Sequence, residues 1–203
     1  MQLGEGNRRP NLNVELIKKL INNWGLNFVE DGKGDLQVTF GPEDILDYVY
    51  AILHSPTYRT RYAEFLKIDF PRLPFTSNKT LFKELAGKGS VLVSLYLMES
   101  PLINILITKY PIDGDHLVNK VRIEEKTQRV YINKTQYFEG VPSEVWNFHI
   151  GGYQICEKWL KDRKGRKLSI DDINHYQKIG VALKETMRLM NEIDGLITKW
   201  PIE

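Results

Sequence analysis

Apolar side chains recur at helical spacing through the first half of the chain, which predicts several helices there. The first helix begins after Asn13 and ends at Gly25, and a second starts at Gly41-Pro42. Ser55-Pro56 starts another, because serine is a favoured N-cap residue and proline suits the first helical turn. A long helix follows the loop 69–78, whose prolines favour an extended backbone.

Alternating apolar and polar residues predict β-structure in two places. The runs on either side of 31–35 predict a hairpin, and three runs within 118–138 predict an antiparallel meander. Helical spacing returns in the last third of the chain, where a long helix begins near Ser169. The pattern therefore predicts an α+β fold, with a helical lobe packed around a smaller antiparallel β-rich middle and a long C-terminal helix.

The length of 203 residues suits one domain or two small lobes. A chain of this size buries about 70% of the surface that its unfolded form exposes, so it can form a core without disulfides or metals. Residues 1–12 are rich in Gly, Asn, Arg and Pro, which predicts a linker. We predict one domain over 13–203 that is helical at 13–110, β-rich at 111–141 and helical at 142–203.

The composition is that of an ordinary globular protein. Hydrophobic residues make up 42% and charged residues 27% of the chain, which excludes collagen-like, disordered and coiled-coil proteins. The single cysteine, Cys156, permits neither an internal disulfide nor a zinc site built from several thiolates. No run is long and apolar enough for a membrane span, and the N-terminus lacks the apolar core of a signal peptide. These features predict a soluble cytoplasmic protein.

The charge is near neutral overall, at +2, but it is uneven along the chain. Residues 53–90 carry seven basic and three acidic side chains, and residues 157–167 carry six and two. Two such basic segments suit phosphate binding, because each neutralised phosphate releases counterions. A solvent-exposed charged face without a ligand is the alternative explanation for either segment alone.

Catalytic motifs are weak or missing. Asp113, Glu124 and Lys126 follow the residue order of a metal-dependent nuclease, but the last two fall at a predicted hairpin tip, away from any shared pocket. Cys156 and His149 lack a third, orienting group. The chain has no nucleotide-binding glycine motif and no Asn-Pro-Pro-Tyr sequence for methylating a flipped base. We therefore predict no catalytic centre and no metal site in this chain.

Two long blocks carry a resemblance to a known family. They are FGPEDILDYVYAILHSPTYRTRYAEFLKIDFPRLPFTSN at 40–78 and VYINKTQYFEGVPSEVWNFHIGGYQICEKWLKDRKGRKLSIDDINHYQKIGVALKETMRLMNEID at 130–194. From Arg8 onward, the chain resembles the C-terminal specificity domain, or target recognition domain, of type ISP restriction-modification enzymes and related large DNA adenine-N6 methyltransferases. The nuclease, helicase and methyltransferase motifs of those enzymes are absent from this sequence.

This resemblance implies that the chain recognises a specific sequence in double-stranded DNA, inside the cytoplasm of a prokaryote. It further implies that the chain directs attached methyltransferase, helicase and nuclease domains, and that residues 1–12 follow an upstream methyltransferase. In the full-length enzymes those domains use S-adenosylmethionine, ATP and Mg²⁺. For this chain itself the resemblance implies no cofactor.

Residues that contact DNA are expected on loops and on the meander, where polar side chains project. The candidates for phosphate contacts are Arg59, Arg61, Lys67, Lys79, Arg163, Lys164 and Arg166. The candidates for base contacts are Arg129, Asn133, Lys134 and Gln136. We expect the two basic segments to share one face and to form a groove for a duplex.

Two alternatives stay open. The first is a structural or protein-interaction module that couples the methyltransferase to the translocase, in which case the basic segments would be dispersed. The second is a metal-dependent nuclease, which requires Asp113, Glu124 and Lys126 to converge in one pocket.

Overall fold

The computed structural model describes residues 10–202, which form two compact units. The terminal unit, as we call it, combines the residues up to Ser94 with those from Arg188 onward, and the central unit is Leu95–Met187. Most of the predicted linker at 1–12 lies outside the described residues. No helix within residues 10–202 combines the length and the apolar character that crossing a membrane requires.

The terminal unit is mainly helical. Its first helix, α1 (Val14–Trp24), begins at the predicted position, where the Asn13 side chain accepts the backbone N–H groups of Glu15 and Leu16 and so caps the helix. It ends at Gly25, whose φ of 61° suits a residue without a Cβ. The following helices are α2 (Pro42–His54), α3 (Pro56–Arg61), α4 (Phe65–Ile68) and α5 (Lys79–Tyr96).

Two short strands of the terminal unit, β1 (Asn27–Phe28) and β2 (Thr39–Phe40), pair in parallel. The hairpin predicted here is therefore wrong. The Asp35 carboxylate accepts the backbone N–H groups of residues 37–39, and these hydrogen bonds hold the Asp35 pKa well below its ordinary range. This turn reverses the chain a second time before β2, so the two strands run in the same direction.

An aromatic cluster forms the core of the terminal unit. Trp24 stacks on Phe82 with ring centroids 3.7 Å apart, and Phe40 meets both rings edge-on. The Trp24 indole N–H donates to the backbone oxygen of Thr76 at 2.8 Å, so its polar atom is satisfied inside the core. Burial of these rings holds α1, β2 and α5 together.

The last helix, α8 (Ile170–Leu196), begins in the central unit and ends in the terminal unit. Within the terminal unit, Asp194 accepts hydrogen bonds from the hydroxyl groups of Ser55 and Thr57 and from the Thr57 backbone N–H. Ser55 is also the N-cap of α3, as predicted. Asp194 thereby ties the end of α8 to the start of α3. The predicted long C-terminal helix is confirmed.

The central unit contains the predicted antiparallel meander. Its strands, in chain order and in the sheet, are β3 (Arg122–Glu124), β4 (Arg129–Tyr131) and β5 (Tyr137–Glu139). Val130 and Phe138 of this sheet are fully buried, and the Phe138 ring packs on Tyr176 of α8 with centroids 4.4 Å apart. The remaining elements are two 3₁₀ turns (Pro101–Asn104 and Glu125–Thr127), α6 (Ser143–Trp146), the paired strands β6 (His149–Ile150) and β7 (Tyr153–Gln154), and α7 (Ile155–Lys161). The α+β class is confirmed.

Gly89 lets α5 lie directly against α2 in the terminal unit. A Cβ atom at this position would lie 1.8 Å from the backbone oxygen of Asp47, far inside van der Waals contact. Gly87, on the same helix, is exposed and has no atom within 4 Å of an added Cβ. Of these two glycines, packing therefore requires only Gly89.

We expect Gly89→Ala to lower the free energy of unfolding by about 1–3 kcal/mol or more, because α2 and α5 must separate to admit the methyl group. Gly87→Ala is the matched control, and it should raise stability by about 0.5–1 kcal/mol through helix propensity alone. Urea unfolding followed by circular dichroism measures both. Equal losses of stability in the two variants would contradict this packing argument.

Candidate nucleic-acid interface

The loop at 162–169, which joins α7 to α8 and which we call the basic loop, is held in place by backbone hydrogen bonds. Val118 donates its N–H to the Arg166 oxygen at 2.9 Å, and Gly165 donates to the Val118 oxygen at 2.8 Å. Leu168 donates to the oxygen of His116 at 3.0 Å. The loop after α7 therefore lies beside residues 116–118, although about fifty positions separate the two segments in the chain.

The other side of the same segment is bonded to the meander. Asn119 and Lys120 both donate their backbone N–H groups to the oxygen of Ile132, at 2.8 and 3.1 Å. Two residues thus oppose one, which is the arrangement of a β-bulge. Ile132 in turn donates to the Gln136 oxygen at 3.0 Å and closes the turn that follows β4. The segment 116–120 consequently joins the basic loop to this turn.

Five exposed cations lie on these three joined segments, and we call them the basic surface: Lys120, Lys134, Lys164, Arg166 and Lys167. None of them forms an ion pair within residues 10–202. A cavity of about 580 Å³ opens between the bulge and the turn, and its lining includes Asn119, Lys120, Lys134 and Thr135. The surface therefore places two lysines around a polar recess that the Asp115 carboxylate also lines.

Two of the predicted base-contacting residues are engaged inside the turn. Gln136 is only 1% exposed, and its side chain accepts the backbone N–H of His116 at 2.9 Å and the Asn133 amide at 2.8 Å. The Asn133 amide also donates to the Leu117 oxygen, and its own oxygen accepts the N–H groups of Thr135 and Gln136. The buried Gln136 amide is thus hydrogen-bonded within the protein and holds the turn, and its predicted base contact stays a prediction.

Two predicted arginine contacts are already partnered. Arg129 donates to the Glu139 carboxylate at 2.7 and 3.0 Å, which offsets its charge. Arg163 stacks on the Trp159 ring at 3.4 Å and lies 3.6 Å from Asp172. A phosphate or a base would have to compete with these contacts. By contrast, Lys164 beside Arg163 is exposed and unpaired.

The remaining phosphate candidates lie in the terminal unit. Arg59 and Arg61 are exposed on α3, whereas Lys67 pairs with Glu64 at 2.7 Å and Lys79 donates to the backbone oxygen of Gln37 at 3.0 Å. Arg59 and Arg61 are thus the better placed of the four. The expected common groove with the loop of the central unit stays a prediction.

The residues of the two catalytic alternatives have local partners. The Asp113 carboxylate is 99% exposed beside His116, and Glu124 accepts the Thr127 hydroxyl at 2.8 Å. Within residues 10–202, no group of three or more His, Cys, Asp or Glu side chains could hold a metal ion. Cys156 is 2% exposed, and burial raises the pKa of its thiol to about 12. A thiol in this state is a poor nucleophile.

Sequence reasoning missed three residues of this site: Asn119, Lys120 and Lys167. In the bulge, the backbone N–H groups of Asn119 and Lys120 both donate to the Ile132 oxygen. This arrangement depends on a segment farther along the chain, so no local sequence pattern predicts it. Lys167 lay inside the recognised basic segment but was not singled out. Its position beside Leu117 comes from an isolated antiparallel bridge.

A comparison with protein families gives one match that covers most of the chain. Residues 1–192 match the model described as the Type ISP C-terminal specificity domain. Among curated proteins, none is significantly similar in sequence.

Solved structures with the same fold are restriction-modification enzymes or a DNA complex. A nuclease-deletion mutant of the Type ISP enzyme LlaGI, in complex with a DNA substrate mimic, shares 23% identity at a TM-score of 0.56 over 74% of this chain. The DrdV–DNA complex shares 21% at 0.65 over 94%, and the ATP-dependent Type ISP enzyme LlaBIII bound to DNA shares 18% at 0.61 over 95%. The chain spans only 13%, 20% and 12% of their respective lengths.

Gln136→Leu should lower the free energy of unfolding by about 1–3 kcal/mol, because it leaves the His116 N–H and the Asn133 amide without their buried acceptor. Thr135→Ala changes an exposed position in the same turn and should stay within about 0.5 kcal/mol of the wild type. Chemical unfolding monitored by tryptophan fluorescence compares them. A Gln136→Leu protein as stable as Thr135→Ala would show that the network does not hold the turn.

Proposed function

Because this chain belongs to the family of Type ISP C-terminal specificity domains, we propose that it recognises a specific sequence in double-stranded DNA for a restriction-modification enzyme. The chain itself is a specificity domain, so its role is binding and catalysis belongs to other domains. Recognition of a duplex requires two kinds of group. Positive charges bind the DNA phosphates and position the protein, and polar side chains read the base edges.

The observation that supports this proposal most is the basic surface of the central unit. Its five cations come from three segments that are distant in the chain, and backbone hydrogen bonds hold those segments side by side. Unpaired lysines and arginines bind phosphates with a large gain from counterion release, whereas cations already paired with carboxylates contribute little. The polar recess beside them is lined by Asn119 and Thr135, whose side chains can hydrogen-bond to bases.

The partners of this domain follow from the same proposal. Solved relatives are five to eight times longer than this chain, since the chain spans 12–20% of their lengths. We propose that residues 1–12 link the domain at 13–203 to an upstream methyltransferase, and that helicase and nuclease domains belong to the same enzyme. S-adenosylmethionine, ATP and Mg²⁺ would act in those domains, inside the cytoplasm of a prokaryotic cell.

A second candidate function is a protein-interaction module, and an exposed apolar patch in the terminal unit favours it. Phe65, Ile68 and Phe70 are 67%, 82% and 89% exposed, and they border an apolar cavity of about 520 Å³. Exposed apolar groups of this size commonly mark contacts with other proteins. A protein contact at this patch is compatible with DNA binding elsewhere on the chain. Measuring DNA affinity over a series of salt concentrations shows whether the chain binds DNA at all.

We expect the wild-type chain to bind duplex DNA with an affinity that falls steeply as salt rises. Combining Lys120→Ala, Lys134→Ala and Lys164→Ala should reduce the slope of log affinity against log salt by about 2–3, because each lost phosphate contact removes about 0.9. Fluorescence anisotropy with a random-sequence duplex, measured over a series of salt concentrations, gives the slope.

Lys158→Ala with Lys161→Ala is the matched control. These lysines are equally exposed in the same unit but pair with Asp162 and Glu157, so their loss should leave the slope nearly unchanged. Equal effects of the two sets would mean that general charge, and no defined surface, binds DNA. A wild-type chain that binds no duplex at low salt would favour the interaction module.

With Mg²⁺, ATP and S-adenosylmethionine supplied, the purified chain should neither cleave nor methylate DNA. Glu124 accepts hydrogen bonds from Thr127 and Tyr131, and residues 10–202 contain no cluster of three or more His, Cys, Asp or Glu side chains that could hold a metal ion. Incubation with a supercoiled plasmid followed by gel electrophoresis and mass spectrometry measures both activities. Turnover that Glu124→Ala abolishes would instead support the nuclease alternative.

A further inference from the structure

One face of the meander carries charged and aromatic side chains in ordered rows. Arg122 of β3 is paired with Tyr131 of β4, and Tyr131 is paired with Tyr137 of β5. Since strand residues alternate between faces, Glu124 lies on the same face as Arg122. Arg129 and Glu139 share this face for the same reason. We call it the outer face, because Val130 and Phe138 on the opposite side are buried in the core.

On this outer face, the Arg122 guanidinium lies over an aromatic ring. Its central carbon lies 3.6 Å from the centroid of the Tyr131 ring. That ring is itself fixed, because the Tyr137 ring packs beside it with centroids 5.0 Å apart and the Tyr131 hydroxyl donates to the Glu124 carboxylate at 3.4 Å. The Arg122 side chain is nevertheless exposed to solvent. Stacking therefore orders the guanidinium before any ligand arrives, which lowers the entropy cost of binding.

Arg122 differs from the other stacked arginines in having no carboxylate partner. Arg129 lies over Tyr137 but is paired with Glu139, and Arg163 lies over Trp159 but is close to Asp172. Among the arginines that the structure describes, Arg122 alone is exposed, stacked on a ring and unpaired with an acid. Its hydrogen-bond donors are therefore open to an external acceptor.

The charge of the outer face favours a base over a phosphate as this acceptor. Arg122 and Arg129 are balanced by Glu124 and Glu139, so the face carries no excess of positive charge. A phosphate at Arg122 would approach the Glu124 carboxylate as well, and like charges repel. The excess of positive charge lies on the basic surface, which includes Lys120, two residues before Arg122. The two neighbouring surfaces thus suit different parts of a duplex.

We propose that Arg122 determines specificity by donating two hydrogen bonds to guanine, at its O6 and N7 atoms, with Tyr131 as the platform that sets its plane. The inference rests on the proposed function. Arginine's planar fork matches the two adjacent acceptors that guanine presents in the major groove, and that groove admits a β-ribbon such as β3–β4. Lysine has a similar charge but lacks this planar fork and does not stack in the same way, so it is a poorer substitute at this position.

The test is selection of bound sequences from a random duplex library, using the 203-residue chain and its variants. The wild type should enrich a motif that contains at least one fixed guanine. Arg122→Ala should lose the preference at that one position and bind the wild-type motif about 5- to 150-fold more weakly. Arg122→Lys and Tyr131→Leu should weaken the same preference, although both keep the positive charge.

Arg188→Lys is the control, because Arg188 is an exposed arginine of α8 that pairs with Glu192 and lies outside the meander. It should leave the motif unchanged. Affinity for unselected DNA, and its salt dependence, should change by less than about twofold in the Arg122 variants, since no phosphate contact is lost. Circular dichroism of each variant confirms that it is folded.

The possible failures are distinguishable. A wild-type chain that enriches no sequence overturns the proposed function and this inference with it. A wild-type motif that survives unchanged in Arg122→Ala and Arg122→Lys overturns the inference and leaves the function standing. A uniform loss of affinity for all sequences in Arg122→Ala, with a salt slope reduced by about one, assigns Arg122 to a phosphate and also overturns the inference.

Discussion

The segment 116–120 is the constraint on which the basic surface depends. On one side its backbone pairs with the loop at 165–168, and on the other side Asn119 and Lys120 share the oxygen of Ile132. Backbone hydrogen bonds of this kind do not depend on which side chains the loop carries. The positions of the cations are therefore set by the fold, and only their chemical identity is set by the residues at those positions.

Ion pairing with nearby carboxylates distinguishes two groups of basic residues that the sequence alone does not distinguish. Lys158 and Lys161 lie in the same basic segment as Lys164 and Arg166, but α7 brings the first two next to carboxylates one turn away. The positive potential that a phosphate meets comes from the unpaired side chains, because an ion pair seen from a distance is nearly neutral. Counting charges along the chain therefore overestimates the positive charge that residues 157–167 offer to a phosphate, and it misses Lys120, which lies outside that segment.

Prediction from sequence succeeded where the signal was local. The start of α1 after Asn13, its end at Gly25 and a turn close to Lys126 depend on residues a few positions apart, and local patterns predicted all three. The parallel pairing of β1 and β2 was missed because the Asp35 turn adds a reversal that alternation of apolar residues does not encode. The burial of Gln136 was missed for a related reason, since its partner His116 lies twenty residues away.

The turn at 133–136 divides its four residues into two pairs with different duties. The Asn133 and Gln136 side chains form hydrogen bonds within the protein, whereas Lys134 and Thr135 are exposed at the tip of the turn. Substitution at the tip leaves the internal hydrogen bonds of the Asn133 and Gln136 side chains to the neighbouring segment in place. Under the proposed function, a change at Lys134 or Thr135 alters the surface offered to DNA without first requiring compensation for lost stability, so recognition would diverge at this turn while the fold is retained.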